Sequence, residues 1–333
     1  MSRPEILVTG GAGYIGSHTC KLLSQRGFTP VIVDNLVYGH EWAVKWGPLY
    51  RGELSDREFL RSVFQKHKIQ AVLHFAAYAY VGESVKDPLK YYTNNVAGSL
   101  SLMSAAVEAG IPRFVFSSTC ATYGEPERMP IAETTPQNPV NPYGASKLMI
   151  ERALKDLSAA APLQVVALRY FNACGADVDG EIGEHHDPET HLIPLALEAA
   201  HGKRELTVFG TDYPTPDGTC IRDYIHVTDL AEAHVMAMDW MTRNTSAKFE
   251  VFNLGTGQGV SVRELIDTVA RITGRQVPAR MGARRAGDPP VLVATAAKAK
   301  ELMGWEPRHS GLENIVRTAD NWYRKHFGAE VER

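Results

Sequence analysis

Tyr143 and Lys147 stand four residues apart, so a helix through them sets both side chains on one face, a single turn from each other. Asn141-Pro142 introduces that helix, and Ser118-Thr119 closes the apolar run Phe114–Ser117, at the strand end where α/β sheets place ligands. A tyrosine serves as a base near neutrality only if its pKa falls by about 3 units from ~10, which is roughly 4 kcal/mol. The Lys147 ammonium and a positively charged ring beside the phenol would jointly supply that by favouring phenolate. Thr119 would hydrogen-bond the same substrate hydroxyl and relay its proton. Far upstream, Gly10-Gly11-Ala12-Gly13-Tyr14-Ile15-Gly16 follows one strand and opens one helix, the context that makes a glycine pattern a dinucleotide cradle. Together these residues describe redox chemistry at a hydroxyl-bearing carbon beside a nicotinamide.

In the cradle, Gly10 allows the tight turn, Gly13 lets the backbone approach a pyrophosphate, and Gly16 lets the helix pack closely. The phosphates would sit on the helix N-terminus. Asp34 ends the second strand, where a carboxylate accepts both ribose hydroxyls and repels a 2′-phosphate. No Arg or Lys follows until Lys45, so NAD is expected rather than NADP. Gly255-Thr256-Gly257-Gln258-Gly259 lacks a following βαβ unit and reads as a plain strand-to-helix turn.

Positioning these groups falls to short apolar runs, Ile6–Thr9, Val31–Asp34, Ala71–Phe75, Phe114–Ser117 and Gln164–Leu168, each rich in residues suited to strands buried on both faces. Helix-like stretches lie between or after them: Ser17–Gln25, Asp56–His67, Asn95–Glu108 and Tyr143–Ser158. The expected class is α/β, a doubly wound parallel Rossmann sheet with a smaller, irregular C-terminal substrate domain. Approximate boundaries assign 1–172 with 218–258 to the first domain and 173–217 with 259–333 to the second. Gly175–Glu189 reads as loop, Leu192–His201 and Asp229–Thr242 as helices, Leu206–Phe209 and Glu250–Leu254 as strands, and Ser261 to Glu264 as a capping-box helix start.

Composition removes other classes. Over 333 residues the net charge is −3, which gives no case for nucleic acid, and 44% apolar residues suffice for a sizeable core. No apolar run approaches the ~18 residues needed to cross a bilayer. Met1-Ser2-Arg3-Pro4-Glu5 runs directly into a strand and leaves no room for a signal peptide. Cys20, Cys120, Cys174 and Cys220 are scattered and read as reduced thiols of a cytoplasmic protein. His185-His186 with His191 fits no standard metal spacing, so no metal is expected.

Four blocks then occur in order: Thr9-Gly10-Gly11-Ala12-Gly13-Tyr14-Ile15-Gly16-Ser17-His18, Val81-Gly82-Glu83-Ser84-Val85, Arg169-Tyr170-Phe171-Asn172 and Arg222-Asp223-Tyr224-Ile225-His226-Val227. With them the whole chain closely resembles the UDP-glucose 4-epimerase family, and the three-and-three glycine spacing is that of extended short-chain dehydrogenases. The resemblance implies tightly held NAD, a UDP-sugar substrate and a homodimer. It implies an NAD lining of Gly10, Gly13, Tyr14, Ile15, Gly16, Asp34, Asn35, Glu53, Leu54, Phe75, Ala76, Ala77, Asn94 and Phe171 together with Tyr143 and Lys147. It gives the nucleotide sugar to Thr119, Asn172, His191, Leu192, Phe209, Arg222, Arg285, Asp288 and Leu292. The two arginines suit a pyrophosphate because each guanidinium is a permanently charged fork. Glu53 stands where relatives usually have Asp, Ala79 where many place a lysine, and His191 where many carry Asn. Leu292 stands where a larger Tyr is frequent, which leaves room for an N-acetyl group. The related 4,6-dehydratases follow the threonine with Asp-Glu, whereas Cys120-Ala121 follows Thr119 here. Epimerases of UDP-pentoses or UDP-uronates stay open alternatives.

Overall fold

Glu5–Thr9 (β1), Thr29–Asp34 (β2), Leu49–Arg51 (β3), Ile69–His74 (β4), Arg113–Ser117 (β5), Gln164–Arg169 (β6) and Phe249–Asn253 (β7) form one sheet in the order β7-β6-β5-β4-β1-β2-β3. Every neighbouring pair is parallel. The structure is a computed structural model and describes residues 3–284 and 289–331. Side chains alternate across each strand and so feed two cores. Ile6 and Val8 join Ile32, Leu73, Val115 and Val166 on one face, whereas Leu7 joins Val33, Val72, Phe114 and Phe116 on the other.

The principal helices are Tyr14–Gln25 (α1), Arg57–Lys66 (α2), Gly98–Glu108 (α3), Pro142–Ala160 (α4), Leu192–Ala200 (α5), Val227–Arg243 (α6), Val262–Thr273 (α7) and Leu312–Val331 (α8). α1 and α6 cover the first face of the sheet through Cys20, Leu23, Leu230 and Met241. α2, α3 and α4 cover the second through Leu60, Val63, Leu102, Ile150 and Leu154. This is the doubly wound arrangement expected from strands without a polar face. β1 has β2 on one side and β4 on the other, so the strand order reverses there and a crevice opens beyond the strand ends.

A smaller outer layer packs α5, α7 and α8 around Ile193, Leu197, Leu265, Val269, Ile315 and Val316. Beside it Leu206–Phe209 pairs in parallel with Ala279–Gly282. The Ser261 hydroxyl accepts the Glu264 amide at 3.0 Å and caps α7. Ala299, Met303 and Trp305 then return to the α1–α6 face of the main sheet.

Two differences from the sequence reading have simple causes. β3 has only three residues, half-buried at the sheet edge, too few to show a period. The helix expected from Asn95 instead starts at Pro88, capped by Asp87, and passes through a π-turn at Tyr92–Ala97 before α3. Such a turn shifts the facing of every later residue and defeats a 3.6-residue count. All four cysteines are buried and outside any disulfide, and among the described residues no helix is long and apolar enough to cross a membrane.

Trp305 is 1% exposed and its Nε1 donates to the Asp229 carbonyl at 2.9 Å, tying the late chain to α6. Trp305→Ala is expected to cost about 3–5 kcal/mol in urea unfolding. A loss below about 1 kcal/mol would mean that this return does not share the main core.

Candidate active site

The glycine turn is built as the spacing requires. Gly10 has φ +74, and a Cβ there would sit 2.6 Å from the Ala76 amide nitrogen; at Gly16 it would sit 2.1 Å from the Gly10 carbonyl oxygen. Side chains are therefore excluded where the turn meets the strand end after β4, whose Phe75 and Ala76 amides donate to the Thr9 carbonyl at 2.9 and 3.1 Å. α1 begins at Tyr14 with Gly13 as its N-cap, and no side chain caps it. Its N-terminal amides and positive dipole end thus face the crevice, a ready anion site. Tyr14 Oη donates to the Gly175 carbonyl at 2.5 Å, and Ile15 packs into the sheet core.

Asp34 lies beside this turn and accepts the Ala12 and Leu36 amides at 3.0 and 2.9 Å. Burial pushes its carboxyl up, and these amides pull it back toward the ionised form. Asn35 Nδ2 donates to both Glu53 oxygens at 3.3 and 3.2 Å, so the longer acid is held at the rim. Leu54 packs with the α2–α3 core. Asn94 donates to Asn95 Oδ1 at 2.9 Å. Asn95, not singled out from the sequence, accepts the Tyr78 amide at 2.8 Å and donates to the Tyr78 carbonyl and to Ser146 Oγ at 3.0 and 3.2 Å. It clamps the loop after Ala77 to α4; the π-turn that aims it inward hid it. A cradle closed to any side chain, an uncapped helix end and a carboxylate beside them suit a dinucleotide, so the residues present fit NAD.

At the other end, Asn141 Oδ1 accepts the Gly144 amide at 2.8 Å and starts α4 with Pro142 in its first turn. Lys147 is 3% exposed, donates from Nζ to the Ser117 carbonyl at 2.8 Å, and lies 4.8 Å from the Phe116 ring centre. Thr119 caps the 3₁₀ turn Cys120–Tyr123, accepting the Ala121 amide at 3.1 Å and donating to the Tyr170 carbonyl at 3.4 Å, and it lies next to the Tyr143 phenol. The three expected residues are therefore together. Burial raises the Tyr143 phenol to about 12 while the neighbouring Thr119 hydroxyl lowers it; burial drops the Lys147 ammonium to about 7 while the Glu151 charge opposes this. Both groups are thus pressed toward their neutral forms, an effect of burial that helical spacing does not reveal.

Glu151, one turn beyond Lys147, is the residue sequence reasoning missed. It is 3% exposed and accepts from Ser118 Oγ at 2.5 Å, from Arg169 Nε at 2.9 Å and from Arg169 Nη2 at 2.5 Å. Arg169 Nη1 reaches Tyr123 Oη at 2.7 Å, and that hydroxyl donates to Asn253 Oδ1 at 2.7 Å. The signal available was the i, i+4, i+8 row Tyr143, Lys147, Glu151 on one helix face.

The expected substrate residues are spread over the outer layer. Phe171 and Leu292 pack on Cys120, Tyr123 and Ala294, next to the reacting end. Asn172 Nδ2 donates to the Asp223 carbonyl at 2.9 Å. Arg222 lies on the short strand Ile221–Arg222, in register with Leu292 on one side and Val260 on the other, and its Nη1 donates to the Ile221 carbonyl at 2.7 Å. Phe209 is exposed at the end of its strand. Leu192 starts α5 against the outer core, and His191 stands at the N-cap position without a side-chain cap bond. The His191 imidazole is engaged by Glu184 and Glu189 at 2.9 and 3.0 Å. Against burial, which lowers it, these acids hold His191 up at about 10. Arg285 and Asp288 lie outside the described residues. Gly255–Gly259 joins β7 to α7, and its Thr256 amide and hydroxyl donate to buried Asp223 at 3.0 and 2.6 Å, which fits the plain turn expected there.

The profile of the NAD dependent epimerase/dehydratase family matches residues 6–255. The UDP-glucose 4-epimerase of Rhizobium meliloti (strain 1021) is 53% identical over 326 residues, which is 98% of each chain. The crystal structure of UDP-glucose 4-epimerase from Brucella ovis in complex with NAD superposes with a TM-score of 0.93 at 54% identity, covering 96% of this chain and 98% of that one. The UDP-Glc/GlcNAc 4-epimerase of Campylobacter jejuni superposes with a TM-score of 0.84 at 42% identity, covering 97% and 99%. Most of the sequence falls within one family profile and nearly all of it aligns with these relatives, so the chain belongs to the NAD dependent epimerase/dehydratase family.

Proposed function

We propose that this enzyme interconverts UDP-glucose and UDP-galactose by inverting the sugar at C4 through a transient 4-keto sugar, with NAD as its cofactor. The observation that carries the reading is Tyr143 one helical turn before buried Lys147, whose Nζ donates to the Ser117 carbonyl at 2.8 Å, with Thr119 next to the phenol at the carboxyl end of β5. NAD supplies a hydride acceptor that is restored before the product leaves, so the net redox change is nil. Tyr143 takes the proton of the 4-hydroxyl as the C4–H bond breaks, and Thr119 holds the sugar oxygen in line with it. The keto sugar turns in the cleft, and Tyr143 returns the proton once the opposite face has been reduced. Lys147 fixes the electrostatics: an ammonium beside the phenol favours phenolate, and its bond to the Ser117 carbonyl fixes where that charge stands.

The same reading assigns the pyrophosphate of NAD to the α1 N-terminus at Gly13 to Gly16, its adenosine ribose to Asp34, and its adenine side to Asn35, Glu53 and Leu54. Phe75, Ala76, Ala77, Asn94 and Phe171 complete that lining. The outer layer, 173–217 with 259–333, would hold the UDP-sugar through Asn172, His191, Leu192, Phe209, Arg222, Arg285 and Asp288. Arg222 and Leu292 are in register on adjacent strands, which supports a diphosphate fork beside a residue that would border the sugar. A homodimer is supported by the exposed apolar residues Val85, Leu89, Leu100 and Met149, on the helices Val81–Lys86, Pro88–Tyr91, α3 and α4, the first two of which pack on α4.

N-acetylhexosamine donors form a second reading, favoured by Leu292 and by the likeness to the Campylobacter jejuni enzyme.

Tyr143→Phe is expected to keep its fold and its NAD while losing about 10²–10⁴-fold in epimerisation; turnover like that of the unaltered enzyme would remove Tyr143 as the base. Leu292→Tyr should impair UDP-N-acetylglucosamine turnover selectively, and equal losses on both donors would discard the space argument. Sedimentation equilibrium should return twice the chain mass; a single-chain mass would rule out the dimer.

A further inference from the structure

The loop after Gly175 gathers two acids and two imidazoles, of which only His191 has a place in the proposed UDP-sugar lining, where among the described residues its Nε2 stays free while Nδ1 faces the acids. Glu184, His186, Glu189 and His191 each offer one donor atom, all within 4.8 Å of one another. His191 Nδ1 lies 2.9 Å from Glu184 Oε1 and 3.0 Å from Glu189 Oε1; His186 Nδ1 lies 3.4 Å from Glu184 Oε1 and 3.5 Å from Glu189 Oε2. Four ligands about 2.0–2.1 Å from one tetrahedral ion stand about 3.3 Å apart, so these separations bracket that geometry.

Three further observations point to a ligand. His186 Nδ1 is buried, lies between the two carboxylates at 3.4 and 3.5 Å, and among the described residues makes no hydrogen bond. Glu184 is 8% exposed, and among the described residues no backbone amide donates to its carboxylate. Glu189 is held in place, because its Oε1 accepts the Thr190 and His191 amides at 2.8 Å each, leaving Oε2 turned toward His186. The other grouping of this kind, Asp229 with Glu232 and His309, differs: Asp229 is already saturated by the Arg308 and His309 amides and the Ser310 hydroxyl. A cavity of about 340 Å³, lined by Glu184, His186, Glu189 and Trp322 among others, gives an entry path.

We propose that Glu184, His186, Glu189 and His191 bind one divalent ion of the zinc class, which clasps the 175–189 loop to the start of α5. Two imidazole nitrogens and two carboxylate oxygens are a borderline donor set that suits zinc, and once the ion has displaced the protons that the acids hold on the imidazoles the set carries −2, which balances it. Four protein donors fill a tetrahedron and leave no open position, so the role is structural rather than catalytic. The spacing Glu-x-His-x-x-Glu-x-His conceals the site in the sequence because each donor comes from a loop turn rather than from one helix face.

The test uses the full chain with NAD bound, stripped with a chelator and titrated with Zn²⁺ against a chromophoric competitor. One ion per chain is expected, with a higher thermal midpoint in the zinc-loaded form, since an ion that binds only the folded state stabilises it. His186→Ala with His191→Ala, and separately Glu184→Gln, should weaken uptake on the order of 100-fold or more. Should the double variant fail to fold, the unaltered chain and Glu184→Gln still decide the matter. Uptake below one tenth of an ion per chain would mean an imidazole–carboxylate ion-pair cluster and would overturn the site. Stoichiometric uptake unchanged in folded Glu184→Gln would overturn it as well.

Discussion

Burying the Lys147 ammonium beneath the end of β5 constrains everything around the reacting end. An unpaired buried ammonium costs several kcal/mol, and such a group normally sheds its proton instead. Here the Ser117 carbonyl, the face of Phe116 and the Glu151 charge offset part of that cost, while burial still brings the group to about 7. Glu151 can serve only because Arg169 grips it with two bonds and Ser118 adds a third. α4 is therefore bolted to the ends of β5 and β6 by charge, and Tyr143, one turn before Lys147, is placed as a consequence.

The same burial acts on Tyr143, the proposed base. It pushes the phenol up to about 12, with the Thr119 hydroxyl pulling it down. In the proposed reaction a cationic ring in the crevice would add to the Lys147 charge in favouring phenolate. That crevice is fixed by backbone rather than side chains: Gly10 and Gly16 admit no Cβ, and Asp34 is anchored by two amides.

Much of this could be read from the residues. Strands buried on both faces announce themselves by apolar content, and the glycine turn and the Tyr143–Lys147 pair by fixed spacing. What could not be read depends on contacts distant in sequence. Glu151 looks like an ordinary exposed helix acid until Arg169 is brought to it, and Asn95 is turned inward by a π-turn that no periodic count anticipates. β3 is too short to carry a pattern. His186 and His191 match no familiar ligand spacing, yet the loop folds them onto the same two carboxylates.

That loop also links the two ends of the molecule. Near its start, Gly175 receives the Tyr14 hydroxyl, and Asp177 and Glu181 pair with Lys21 at 2.8 and 2.7 Å, so it is tied to the helix that opens the cofactor cradle. Toward its end, Trp322 Nε1 donates to the Glu184 carbonyl at 3.2 Å, fixing it to α8, and Glu189 holds the first amides ahead of α5. Ion pairs half-open to water add little stability individually. Their value here is positional, because the loop is anchored on one side to the cofactor helix and on the other to α5 and α8. A displacement of α1 on filling the cradle would therefore be felt at His191 and Leu192 through backbone rather than through solvent.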